Sequence, residues 1–462
     1  MRLGRGVALP ADVQRPAYDR DAQASGIVHL GIGAFHRAHQ AVYTDDAMDA
    51  GDRNWAITGV SLRSPEVRDA LEPQDGLYTV TERDGGGDTT RLIGSVRRVL
   101  VAPESPAAVV AAIAAPATRI VSLTVTEKGY WRAPDGSLDP ALPDLAGGTP
   151  VSIFGFLADG LARRRDAAAG GLTLISCDNL AANGRQLERL LQAVLMARDP
   201  ALAEWVAAQC TCPSTMVDRI VPAPTEADRT SIAARLGVRD EAAVIAEPFR
   251  QWVIEDRFAG DRPGWEAGGT EFVADVAPYE VAKLRMLNGA HSALAYLGLA
   301  HGYAFVHEAV ADPAIAALVE RLMRDEAAGS FTPAPGQDLD RYATALMARF
   351  ANPALNHRLA QIAMDGSQKI PQRWLEALAA RRSAGGESPS ILRALAAWID
   401  HVRGDVRPVD DPAAAALAAC WQSAGRAGIV AALFGEHGRF ATRWVASEAE
   451  RAAITESLSP ER

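Results

Sequence analysis

The sequence predicts an α/β protein, an N-terminal Rossmann-type doubly wound sheet followed by a second, mainly α-helical C-terminal domain. Short β-rich apolar runs alternate with Ala- and Leu-rich helical patterns through the first half. The earliest of those runs ends in a Gly-x-Gly turn, and beyond about residue 280 long helical stretches replace the strands. A chain of 462 residues with 48% hydrophobic content has enough apolar material for two cores. The domains are expected at 1–275 and 276–462.

The first element is the run Ile27-Val-His-Leu-Gly31-Ile-Gly33, followed by a helix-compatible segment over 35–48. A strand, a glycine turn and a helix in that order can receive a dinucleotide pyrophosphate. The glycines let backbone approach the phosphates, and the helix start offers unpaired amides and a positive dipole end. The third glycine of the full fingerprint is absent. Further strands are expected at 55–62, 77–81, 119–126 and 172–176, with helices at 106–114, 151–167 and 184–197. The run Ile120-Val-Ser-Leu-Thr-Val-Thr126 looks buried on both faces, as a central parallel strand would be. Asp84 to Asp88, rich in glycine, predicts a hairpin turn between 78–82 and 91–99, which would add antiparallel strands to the sheet. In the second half the helices are interrupted at Pro313, at the Pro333 to Pro335 loop and at Gly385-Gly386.

A formal charge of −10 provides no basic field for a nucleic acid or an anionic membrane surface. No stretch approaches about 18 consecutive apolar residues, and Arg2 and Arg5 precede no apolar run of the signal-peptide kind, so a cytoplasmic protein is expected. Cys177, Cys210, Cys212 and Cys420 are too few and too unevenly spaced for a disulfide framework or a four-ligand zinc site. No metal is expected.

The chemistry-bearing segment is Lys283-Leu-Arg-Met-Leu-Asn288-Gly-Ala-His291, with an amine, a carboxamide and an imidazole within nine residues. A partly buried amine can serve as a general base, and a carboxamide can donate to a developing alkoxide. On an α-helix His291 lies about 80° from Lys283, but Asn288 lies about 140° away, so all three converge only if the helix is distorted or begins near Lys283. Read by spacing alone, the segment is an amphipathic helix with a solvated lysine and a polar asparagine. Two further segments, Thr126-Glu-Lys128-Gly-Tyr130 and Ser176-Cys-Asp178-Asn179, follow predicted strands and so face the crevice of a doubly wound sheet. Asn179 could also be a turn or helix-cap residue. His36 and His39, beside the glycine turn, are expected to pack or to meet cofactor.

Taken together with Gly31-x-Gly33-x-Phe35-His36-Arg37-Ala38-His39-Gln40, Met216-Val-Asp218-Arg-Ile220 and Glu247-Pro-Phe-Arg-Gln-Trp252, these motifs resemble the mannitol dehydrogenase family over about residues 27–375. That resemblance implies a zinc-independent, NAD-linked dehydrogenase of polyols or sugar acids. It assigns Lys283 as general acid/base, Asn179 and Asn288 as the carboxamides that polarise the carbonyl, and His291, Asp218 and Lys369 as substrate contacts. Gly31, Gly33 and Phe35 match the cofactor turn. The motifs 126–130, 215–221, 283–291 and 362–373 are most similar to those of members interconverting D-fructuronate and D-mannonate. Oxidation of mannitol, or of another secondary polyol such as D-arabinitol, is the alternative. A monomer or weak oligomer working in the interdomain cleft is implied.

Two departures bear on specificity. The tip of the second strand reads Val60-Ser-Leu-Arg63-Ser-Pro-Glu66, where a carboxylate that binds the ribose would mark an NAD enzyme. Arg63 would instead suit a 2′-phosphate, while Glu66 stands slightly downstream, so NAD is expected and NADP stays open. Gln361 occupies a place where polyol-oxidising members often carry a basic residue, and Lys128 one where they carry glycine. Lys128 is expected either to hold the carboxylate of a sugar acid or to serve a structural or cofactor-side role.

Overall fold

The computed structural model describes residues 1–460, and the chain forms two compact units, Met1–Val276 and Ala277–Arg462. The first contains β1 (Ser25–Leu30), β2 (Ala56–Ser61), β3 (Tyr78–Asp84), β4 (Gly87–Ile93), β5 (Val96–Val101), β6 (Ile120–Leu123), β7 (Thr173–Ser176), β8 (Thr215–Asp218), β9 (Val244–Ala246), β10 (Gln251–Glu255) and β11 (Glu271–Val273). Five of them form one parallel sheet in the order β5-β2-β1-β6-β7. Chain order reverses at β1, which opens a crevice beyond the carboxyl ends of β1 and β6.

Alternation along the strands sorts side chains into two cores. Val28, Leu30, Val121 and Leu123 face the helices Pro106–Ala114, Ile153–Asp166 and Asn183–Arg198. Ile27, Ile57, Ile120 and Ile175 pack with Tyr43, Trp252 and Trp265 on the other side. Coverage of both faces explains why β6 is buried at every position, Ser122 included.

Two local expectations are corrected. The hairpin forms, with Asp84 opposite Gly87, but β3 and β4 build a separate three-stranded sheet with β9. The run 91–99 is also divided: Gly94 leaves the ladder, and β5 pairs in parallel with β2. A long-range contact causes the break, because the Gly94 amide donates to the Asp45 carboxylate at 2.9 Å and the Ser95 hydroxyl to the Ala41 carbonyl at 2.7 Å. Likewise the helix expected over 35–48 is two helices, Ala34–Ala38 and Gln40–Asp49, broken at His39 (φ −120°, ψ −95°). The buried His39 imidazole, whose Nε2 lies 3.0 Å from the Gln251 carbonyl, packs edge-on against Tyr43 and Trp252.

The second unit is helical. At its centre Ala277–Ala282, a π-turn Lys283–Leu287 and Asn288–Ala300 form one continuous path, with Gly289 through Leu299 buried among the surrounding helices. Pro313 opens its helix at the first position, where a missing N–H is harmless, and Asp312 caps the amides of Ala314 and Ile315. Two more π-turns occur at Leu322–Ala327 and Pro371–Leu375. Pro371 supplies the reason for the last, since it offers no N–H to the preceding turn. Helix Ala414–Phe434 is long and apolar enough to cross a membrane by length and composition, although the sequence shows no long unbroken apolar run. Its Leu417, Trp421, Ile429 and Phe434 pack into the helical core, and it kinks at Gly425.

Candidate active site

In the first unit, β1 ends on Gly31 at φ +100°, a conformation suited to glycine. A Cβ there would stand 2.1 Å from the Thr124 carbonyl oxygen, so the glycine also permits close approach of the β1 and β6 ends. Gly33 differs: its φ is −81°, and a Cβ would meet only the Gly31 carbonyl, at 3.9 Å. It borders a cavity of about 520 Å³ whose walls include Gly31, Arg63, Thr126, Lys128 and Ser152. The amides of Gly31, Ile32 and Gly33 already bond to Val60 and Gly31 carbonyls. Those of Ala34 and Phe35, in the first helical turn, lack a helical acceptor. This hollow at the switch point, bordered by the glycine turn and free of carboxylates, fits a dinucleotide. Phe35 is not among the lining residues, and its ring stacks on His39 at 4.9 Å between centroids.

Behind the turn, buried His29 holds the β1 and β6 ends together. Its Nδ1 is 2.8 Å from Ser122 Oγ and its Nε2 is 2.8 Å from Thr124 Oγ1 and 3.2 Å from the Gly31 carbonyl. Burial lowers its pKa to about 3, so the ring is neutral. His36 stacks on it at 3.4 Å and is wholly buried, so both His36 and His39 pack rather than face a ligand.

The strand-end segments are ordered by Asp178. Its Oδ1 accepts the amides of Val125 and Thr126 at 2.9 and 2.8 Å, and its Oδ2 accepts the Tyr130 hydroxyl at 2.8 Å. Burial raises the Asp178 pKa, opposed by these three donors. Asn183 then pins the following turn, donating to the carbonyls of Asp178 and Thr215, both at 3.0 Å. Asn179 stands exposed in that turn, and Asp218 is buried as the last residue of β8. Lys128 is exposed on the wall of the cavity that holds the glycine turn.

In the second unit the helix is distorted where the sequence requires it. The Asn288 amide bonds to the Lys283 carbonyl, five residues back. Such a π-turn acts as a one-residue insertion and absorbs about 100° of rotation. The separation from Lys283 becomes about 40° for Asn288 and about 20° the other way for His291, which puts all three on one face. Lys283 and Asn288 are half-buried. His291 is buried beside Phe350 and His357, and burial, then His357, Arg349 and Arg373, hold its pKa well below the usual value.

Arg373, quoted in the sequence only as the end of a motif, donates to Ser292 Oγ at 2.8 Å and to the Asn288 carbonyl at 3.3 Å. Its neighbour Trp374 donates to the Gly289 carbonyl at 3.2 Å. Burial lowers the Arg373 pKa to about 10. Lys369 donates to the Met364 carbonyl at 2.6 Å, and its pKa is lowered by burial and by Arg373. Neither cation pairs with a carboxylate among the described residues. Gln361 is exposed. No group of three or more His, Cys, Asp or Glu side chains able to hold a metal occurs among the described residues.

Comparison with known proteins agrees with this two-domain fold. The Mannitol dehydrogenase Rossmann domain matches residues 25–267, and the Mannitol dehydrogenase C-terminal domain matches 275–456. D-mannonate oxidoreductase of Escherichia coli K12 is 44% identical over 403 residues, 85% of this chain and 83% of the relative. Mannitol 2-dehydrogenase of Pyrenophora tritici-repentis is 39% identical over 419 residues, 87% and 74% of the two chains. The ternary complex of Pseudomonas fluorescens mannitol 2-dehydrogenase with NAD and D-mannitol superposes with a TM-score of 0.79 at 36% identity, covering 99% of this chain and 96% of that one. This chain therefore belongs to the mannitol dehydrogenase family and is an oxidoreductase acting on a CH–OH group of a polyol or sugar acid.

Proposed function

We propose that the protein interconverts D-fructuronate and D-mannonate with NAD(H), using Lys283 as the group that moves the proton. The observation that carries the sugar-acid assignment is the pair Lys369 and Arg373. The largely buried Arg373, bonded to the Asn288 backbone, and the half-buried Lys369, neither in an ion pair among the described residues, form a positive field that an anionic substrate would neutralise. The 44% identity to a D-mannonate oxidoreductase supports the same reading. An NAD-bound relative supports the cofactor.

When bound, the nicotinamide supplies the hydride for the ketone carbon. The Lys283 ammonium gives its proton to the ketone oxygen during reduction and the free amine recovers it during oxidation. The carboxamides of Asn179 and Asn288 donate to that oxygen as negative charge grows on it, which favours the transition state over the neutral ketone. Neutral His291, with Asp218 and Lys369, contacts the remaining substrate oxygens. The position of Lys128 on the dinucleotide cavity favours its cofactor-side role over a carboxylate contact.

NADH consumption with fructuronate, tagaturonate, fructose and xylulose tests the substrate, with the highest kcat/KM expected for fructuronate. A preference for fructose would replace this reading with mannitol oxidation. Lys283→Ala should retain NADH binding and lose turnover by about 10²- to 10⁴-fold. Wild-type turnover by that variant would remove Lys283 from the chemistry.

A further inference from the structure

The cavity at the carboxyl ends of β1, β2 and β6 is lined by Gly31, Ser61, Arg63, Thr126 and Lys128 among others, and no Asp or Glu is among its lining residues. In a Rossmann domain the tip of the second strand meets the adenosine ribose. A carboxylate there bonds the 2′-hydroxyl and repels a 2′-phosphate, whereas an arginine accommodates the phosphate. Here β2 ends at Ser61, whose hydroxyl donates to the Ser64 carbonyl at 2.6 Å and closes the short turn carrying Arg63. The Arg63 guanidinium is exposed and makes no hydrogen bond or ion pair among the described residues. Nearby arginines are engaged: Arg68 with Asp69 and Glu104, and Arg98 with the Thr58 hydroxyl. Glu66, the carboxylate nearest in sequence, is exposed and lies outside the cavity lining.

Lys128 is the second cation on the cavity wall, but it follows β6, two strands from β2. At the usual strand spacing that is about 10 Å, so the two side chains meet different parts of one ligand. Lys128 is on the side where the β6 end adjoins the glycine turn, and its charge suits the pyrophosphate shared by both nicotinamide dinucleotides.

We propose that Arg63 forms a subsite for the 2′-phosphate of NADP(H), so that this enzyme takes NADP(H) as well as NAD(H), while Lys128 serves the pyrophosphate common to both. This rests on the reading that the cavity binds a nicotinamide dinucleotide. A 2′-phosphate carries about −1.5 to −2 charges at neutral pH and accepts several charge-assisted bonds, which a guanidinium can make in pairs.

The test is binding alone, read from nicotinamide fluorescence during titration of the wild type, Arg63→Ser, Arg63→Asp and Lys128→Ala with NADH and with NADPH. For the wild type the two dissociation constants should agree within about tenfold, or ~1.4 kcal/mol. The NADPH-to-NADH ratio of dissociation constants should rise about thirtyfold in Arg63→Asp and by a smaller factor in Arg63→Ser, as expected for loss of bonds to a charged group. Lys128→Ala should weaken both ligands and leave the ratio unchanged. Added salt should weaken NADPH more than NADH. A wild type that binds NADH over about a hundredfold more tightly than NADPH, or Arg63 variants whose ratio stays fixed, would overturn the subsite while leaving the dinucleotide reading intact. Binding of neither ligand by folded wild-type protein would overturn both.

Discussion

Replacing Gly31 with alanine should damage both the fold and cofactor binding, whereas the same change at Gly33 should damage binding alone. At Gly31 the backbone sits at φ +100°, where a side chain costs about 1–3 kcal/mol. The added Cβ would also stand 2.1 Å from the Thr124 carbonyl oxygen, so the ends of β1 and β6 must separate by roughly 1 Å to reach ordinary contact. That separation acts on the bonds joining them: Thr124 amide to Leu30 carbonyl at 3.0 Å, Thr124 hydroxyl to Gly31 carbonyl at 2.6 Å, and the His29 contacts. With two such bonds weakened at about 1 kcal/mol each, the loss is about 3–5 kcal/mol. Gly33 has a negative φ and no atom closer than 3.9 Å to its added Cβ, so its methyl group enters open space at the cavity. Denaturant unfolding of the N-terminal transition and NADH titration, performed on both variants, separate the two effects. Gly31→Ala unfolding within about 0.5 kcal/mol of wild type, or Gly33→Ala destabilised equally, would refute the assignment of the turn's rigidity to the β1–β6 approach.

Asp178→Ala removes the acceptor for two amides and the Tyr130 hydroxyl, and should destabilise the first unit by about 2–4 kcal/mol in thermal or denaturant unfolding. Tyr130→Phe, which deletes one of those donors, should cost about 1 kcal/mol. Stability should also fall on acidification: His29 and His39 have folded pKa values of about 3 and His401 of about 4, against about 6.5 when unfolded, so the unfolded chain binds more protons below that value. Their contribution is full above about pH 6.5 and lost as pH falls toward the folded values, and melting temperatures recorded from pH 8 to 4.5 should decline below about 6.5. Arg373→Gln should raise KM for fructuronate by about tenfold or more and for fructose much less, consistent with the loss of one charged contact. Equal changes for the two substrates would remove the anion-binding role of the guanidinium.

The parallel sheet was legible because its strands are buried on both faces and so are rich in β-branched and apolar residues between helical patterns, as at Ile120 to Leu123. Where a long-range contact decides, local pattern misleads. Residues 91–99 have continuous strand propensity, yet the Asp45 carboxylate pulls Gly94 out of the ladder and sends the two halves to different sheets. Residues 35–48 are compatible with one helix, yet the partners of His39 on β10 break it. The polar residues of the candidate site stand out in sequence as amines and carboxamides amid apolar neighbours. Their supports do not: no neighbouring residue marks His29, Asn183 or Arg373, because the bonds that define them cross many residues of chain. One signal was available for Asp178, a carboxylate two residues past a buried strand, which must find donors once buried.

The π-turn at Lys283 explains why the three polar groups of the proposed catalytic segment diverge on an ideal helix. Three polar groups at positions 283, 288 and 291 cannot share an α-helical face, and the inserted residue restores their phase. A widened turn weakens the helix's own hydrogen bonding, so it persists only where neighbours make up the loss. The neighbours are visible. Arg373 and Trp374 donate to the carbonyls of Asn288 and Gly289, the first residues after the distortion, and both donors belong to a second π-turn whose origin is Pro371. A proline that cannot complete an α-helical turn thus aims a guanidinium and an indole at the start of the helix carrying Asn288. The same guanidinium adds positive charge beside His291 and Lys369. Under the proposed function, support of the distorted helix and preparation of the pocket for an anion would be one structural arrangement, in which Arg373 both holds the start of the helix carrying Asn288 and supplies charge for a substrate carboxylate.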